Sequence, residues 1–130
     1  MIVWQMNGGR AMQQDFAANV RATGTALANS SRNPAALLLV CDHWVVSGRR
    51  ALAVTPIPEP SAQKHWFRAA ALAVKGGAQC HQAVEKDDVS LLGRSVRTLI
   101  SARNELDEVR LRFRHFGVRI DHRGPSERAR

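Results

Sequence analysis

Val89, Leu92, Val96, Leu99, Ala102, Leu106, Val109, Phe113 and Phe116 follow one another in steps of three and four without a break. An apolar stripe of that period is one face of an α-helix, and no other stretch limits the possible folds as strongly. Part of it, "EVRLRFRH" at 108–115, also alternates in steps of two. There Val109, Leu111 and Phe113 are set against Arg110, Arg112 and Arg114, as in a strand with one cationic face. The alternation ends after six residues and the helical stripe spans 28, so helix prevails. Glu108 and Arg112 stand at i and i+4 in the favourable order. Gly117 supplies a stop, and Arg112, Arg114 and His115 lie where the negative end of the helix dipole favours cations.

The same period appears upstream. Residues 1–10 end in Gly8-Gly9 and read as a flexible lead-in, after which Met12, Phe16, Val20, Thr23 and Leu27 mark a first helix. It closes in the turn formers of "ANSSRN". Asn33-Pro34 is a helix start, with Asn as cap and Pro at the first helical position. The segment 36–54 that follows is apolar nearly all round, and helix is favoured over a strand pair turning at Ser47-Gly48. Pro56, Pro58 and Pro60 then make 55–60 a stiff linker between two helix pairs.

Beyond the linker Ser61 is the expected N-cap. Trp66, Ala70, Ala73, Gly77, Cys80 and Val84 form a seam whose small central residues admit a closely packed neighbour. The expected neighbour is the last helix, with Ala70, Ala73 and Gly77 against Leu99, Val96 and Leu92. Gly76-Gly77 costs about 2 kcal/mol relative to two alanines, so a kink is expected there. "EKDD" turns the chain, with Asp88 as the next cap. The reading is all-α: one domain over 1–117, a small bundle of about four helices with the last two as an antiparallel αα-hairpin, followed by a disordered basic tail at 118–130. Ala at 19 positions and an aromatic content of 5% suit close helix packing.

The net charge of +8 raises the prospect of polyanion partners. Its skew of 16 Arg to 3 Lys also fits a GC-rich coding bias. No apolar run reaches the ~20 residues a membrane span needs. The N-terminus has no basic residue ahead of an apolar stretch, which argues against a secretory signal, and a cytoplasmic location is expected.

Cys41, His43, Cys80 and His81 would suffice as zinc ligands. Their spacing is unlike that of paired zinc ligands, and Cys80 sits on the apolar seam, so no metal or cofactor is assigned. His81 and Glu85 at i and i+4 read as a surface pair. Asp42, His43 and Ser47 lack the G-x-S-x-G context of a hydrolase triad, so no catalytic residue is assigned.

The function these residues favour is a non-enzymatic assembly module. It would be a homodimer or bind a protein partner, with Val109, Phe113 and Phe116 at or beside the interface, because the shorter third helix leaves that end to be covered by another subunit, by the first helix or by a partner. The alternative is a non-sequence-specific nucleic-acid-binding accessory protein. That role would use Arg103, Arg110, Arg112 and Arg114 of the last helix and Arg119 and Arg123 of the tail.

Overall fold

A computed structural model describes residues 2–29 and 32–115. Two short helical turns, Ile2–Trp4 and Gln5–Gly9, lead into α1 (Arg10–Ala28), which is followed by α2 (Pro34–Ala53), α3 (Pro60–Lys86) and α4 (Val89–His115). The protein is an all-α bundle, with no strand among the described residues. Successive helices are antiparallel. Thr23 and Asn19 of α1 reach Trp44 and Ser47 of α2, Cys41 reaches Cys80, and Gln79 and His65 reach Thr98 and Glu105. The expected αα-hairpin is therefore α3–α4. Helix α3 lies in the middle, packed extensively on α2 and α4, while α1 rests on α2 and meets α4 over a smaller area.

Local chemistry sets the ends. The Asn33 side chain accepts from Ala36 N at 3.1 Å, with Pro34 at the first position of α2. The segment 36–54, open between helix and strand pair on sequence alone, is thus α-helical to Ala53. Helix α3 starts two residues earlier than Ser61 capping would place it. Glu59 is its cap, accepting from Ala62 N, and Pro60 is its first residue. At the hairpin Asp87 adopts a left-handed conformation (φ 52°), and Asp88 caps α4 by accepting from Leu91 N at 3.0 Å.

Residues 2–10 are no loose lead-in. Trp4 is 2% exposed, its ring lying 5.0 Å from Trp66 and 5.4 Å from Phe113, and its Nε1 donates to Thr55 O. Gly8 turns the chain at a positive φ of 108°, which Gly tolerates without penalty. Gly9 lies directly beneath the indole, where an added Cβ would fall 2.3 Å from Cε3. Trp44, Phe16, Trp66, Trp4 and Phe113 thereby form a continuous aromatic chain touching all four helices.

Two of the three residues expected at an interface at the end of the last helix are covered within the chain: Val109 is 0% and Phe113 4% exposed, with the Trp4 ring 5.4 Å from that of Phe113. Phe116 and the tail 118–130 lie outside the described residues.

The seam of α3 is buried as expected but faces a different helix. Gly77 abuts Cys41 O and Val45 of α2, Ala70 O abuts Gly48 of α2, Trp66 Nε1 donates to Ala51 O at 3.1 Å, and Cys80 is disulfide-bonded to Cys41. The residue under Leu99 of α4 is Gly76. It belongs to a second stripe, Ala62, Ala69, Gly76 and Ala83, which recurs every seven residues and is wholly buried. Helix α4 answers with Ser95, Ala102 and Val109, also seven apart and 0% exposed.

Nor does Gly76-Gly77 break the helix. Helix α3 is continuous from Pro60 to Lys86, because each glycine lies where a neighbouring helix comes too close for a side chain. The packing gained at two interfaces outweighs the low helix propensity of the pair.

A Cβ on Gly77 would meet backbone at 2.7 Å, and one on Gly48 would meet Val74 Cγ2 at 2.7 Å and Ala70 O at 2.8 Å. Gly77→Ala and Gly48→Ala should each destabilise by about 1–3 kcal/mol through overpacking. Gly76→Ala should cost less, since it meets the Leu99 side chain, which can turn aside. Thermal melts of the three variants check the order.

The Cys41–Cys80 bond closes a sequence separation of 39 residues. By loop-closure entropy it should contribute about 4 kcal/mol. Reduction should lower the melting temperature by roughly 10–20 °C, read by calorimetry with and without a dithiol.

Candidate functional site

Cys41, Cys80, Ser47, His65 and His81 are held in contacts between helices. Cys41 and Cys80 are bonded to each other, 0% and 3% exposed, and His43 is on the exposed side of α2. The four residues weighed as a metal set therefore do not converge. Among the described residues no three His, Cys, Asp or Glu side chains form a metal-binding group. Ser47 is buried between α1 and α2. It accepts from Asn19 Nδ2 at 2.9 Å and donates to Asp15 Oδ2 at 2.5 Å, and neither Asp42 nor His43 is its partner. Trp44 Nε1 donates to Thr23 Oγ1 at 2.7 Å, and that hydroxyl donates to Asn19 O at 2.6 Å. This network satisfies the polar groups of an otherwise apolar interface.

His81 clamps the outer edge of α2 and α3. Its Nδ1 lies 2.6 Å from Asp42 Oδ1, and its Nε2 pairs with Glu85 one turn along α3. The pairing with Glu85 follows from the i, i+4 spacing, whereas Asp42 is brought in only by the packing of α2. A second inter-helix pair, His65 Nδ1 and Glu105 Oε2 at 2.5 Å, joins α3 to α4.

These contacts leave the surface charge unbalanced. Asp15 is held by Ser47, Asp42 and Glu85 by His81, and Glu105 by His65. Glu59 and Asp88 are helix caps, and Asp107 is 3.4 Å from Arg110. Arg49, Arg50, Arg68, Arg94, Arg97 and Arg103 are exposed and hold no carboxylate among the described residues. Six carboxylates, Asp15, Asp42, Glu59, Glu85, Asp88 and Glu105, are thus engaged with histidines, a serine and helix ends.

Two of the arginines converge on a cleft. Gln13, Ala17 and Val20 of α1 face Arg103, Leu106 and Arg110 of α4 across a shallow surface groove of about 20 Å³. The seam is open there because α1 packs on α4 less closely than on α2, and Ala17 is too short to reach across. Arg114 is exposed one turn beyond Arg110 on α4. Arg112 points elsewhere, half-buried with its Nε unbonded. Arg119 and Arg123 lie outside the described residues. Of the nucleic-acid set, then, Arg103 and Arg110 line one site with α1. Sequence reasoning missed Gln13, since nothing in a single helix shows which neighbour it faces.

No protein-family model matches the chain, and no curated protein or solved structure shows significant similarity to it.

The Asp42 carboxylate, hydrogen-bonded to Nδ1, raises the His81 pKa above its ordinary 6.5, and Glu85 adds to the effect, against the partial loss of hydration. A raised pKa means that the clamp contributes stability fully below the unfolded-state value and loses it as pH rises through the folded-state value. The melting temperature of the wild type should therefore fall relative to that of His81→Gln between about pH 6 and pH 9. Identical pH profiles for the two proteins would show that the clamp has no role in stability.

Proposed function

We propose that this chain is a non-enzymatic helical protein that binds a polyanion through its arginine surface. The observation that carries the reading is the engagement of its carboxylates. With Asp15, Asp42, Glu59, Glu85, Asp88 and Glu105 committed within the fold, exposed arginines face solvent without local neutralisation. A surface of that kind attracts phosphate backbones and releases their counterions on binding.

Self-association or docking on a protein partner is the second reading. Val109 and Phe113 cannot serve it, since both are inside the bundle. What favours it is a set of exposed apolar side chains. Ile100 and Leu111 share the outer face of α4, eleven residues apart, and Leu39 and Val46 share that of α2.

No helix among the described residues is long and apolar enough to cross a membrane. The cytoplasmic location expected from the sequence does not fit easily with the Cys41–Cys80 bond, which supports a compartment where thiols are oxidised.

Binding of a labelled oligonucleotide in about 50 mM salt, weakening 10³-fold or more on raising salt to about 200 mM if six or more phosphates are contacted, is the expected behaviour. Fluorescence anisotropy measures it. Absence of binding at the lower salt, together with a dimer by light scattering, would favour the second reading.

A further inference from the structure

We propose that the cleft between α1 and α4 is a phosphate-binding site, with Arg103 and Arg110 as cationic jaws and Gln13 as a neutral donor. The proposal rests on the polyanion reading above and assigns it a place.

The cleft has the composition such a site requires. Its floor is apolar, formed by Ala17, Val20 and Leu106, and its rim carries Gln13 on one helix and the two arginines on the other. An apolar floor lowers the local dielectric and strengthens an ionic bond formed above it. Arg103 and Arg110 are seven residues apart, about 10 Å along α4, so they line the cleft at positions two turns apart. Gln13 lines it from the opposing helix. Donors from three positions suit a tetrahedral oxyanion, whose oxygens point several ways. A planar carboxylate would be satisfied by a single arginine fork.

Helix packing has already positioned the jaws without neutralising them. Arg103 has no carboxylate partner among the described residues. Arg110 is held by Asp107 through an exposed contact of 3.4 Å, too long for a strong bond and readily exchanged for a phosphate oxygen. Asp107 thus acts as an internal competitor. A strand lying along the cleft would continue from Arg103 past Arg110 towards Arg114.

The phosphate could belong to a nucleic-acid backbone or be a free ion, and the two are separable by experiment. The test uses the full chain and a labelled single-stranded oligonucleotide, followed by fluorescence anisotropy over a salt series. Arg103→Gln/Arg110→Gln should weaken binding at least tenfold and reduce the slope of log affinity against log salt by about 1.4, at about 0.7 per single-strand phosphate contact. Gln13→Ala should weaken binding with no change of slope, and Asp107→Asn should tighten it. The control Arg49→Gln/Arg50→Gln, on α2, should have a smaller effect than the cleft pair. All of these side chains are exposed or half-buried on the surface, so melting temperatures close to wild type will show that the fold is kept.

Inorganic phosphate should displace the oligonucleotide more effectively than chloride at equal ionic strength if the cleft seats a phosphate group. Direct phosphate binding without oligonucleotide binding would assign the site to the free ion. A wild type that binds the oligonucleotide while the cleft pair and the control pair weaken it equally would overturn the site and leave the polyanion reading standing. A wild type that binds neither probe would overturn both.

Discussion

The close approach of α2 and α3 governs the rest of the bundle. Gly48 lies on Ala70 O and Gly77 on Cys41 O, so backbone touches backbone from both sides of one interface. Between these contacts and the hairpin end, Cys41 and Cys80 are bonded, with Cα atoms 5.4 Å apart. Larger residues at either glycine would hold the helices apart and put both the sulfurs and the Asp42–His81 pair out of reach. Because α3 is held so closely to α2, its opposite edge, Ala62 to Ala83, is left as a row of small residues on which α4 can settle with its own Ser95, Ala102 and Val109.

Close packing on both sides of α3 has a geometric consequence at the far end of the bundle. Helices drawn together over alanine and glycine leave too little room there for large side chains from every helix, and the aromatics gather where the helices diverge. Trp66 and Phe113 each meet Trp4 there, which enters from the N-terminal turns to complete the layer. The N-terminal segment is therefore part of the core. Helix α1 contributes Phe16 to the same layer but lies further from α4, and the residual gap is the arginine-rimmed cleft. The cleft is a by-product of unequal packing, tight through α2, α3 and α4 and looser where the ring of helices closes.

Charge follows a similar logic. Carboxylates are needed at helix starts and beside histidines that cross between helices, and those uses fix them in place. Arg49, Arg50, Arg68, Arg94, Arg97 and Arg103 hold no carboxylate among the described residues and stay on the outside with their charge intact. A net charge of +8 therefore understates how little of the arginine charge is locally cancelled.

The sequence by itself determined the helices. Period, caps and proline positions act within a few residues, which is why Asn33, Asp88 and the long stripe from Val89 could be read directly, and why the burial of Trp66, Ala70, Ala73, Gly77 and Cys80 could be anticipated. Which helix each face meets was decided only in three dimensions. A helix buried on two sides carries two stripes, and the more apolar one, through Trp66 and Cys80, concealed the alanine heptad that serves α4. For the same reason Gly76-Gly77 looked like a break, since propensity is local while the contacts that compensate for it come from two other helices. Trp4 was passed over because a glycine pair after a short apolar stretch resembles a lead-in until the ring above Gly9 is placed. The cationic cleft required both levels. Arg103 and Arg110 were legible at i and i+7 on one helix, but Gln13 joined them only when α1 came to rest at an incomplete distance from α4.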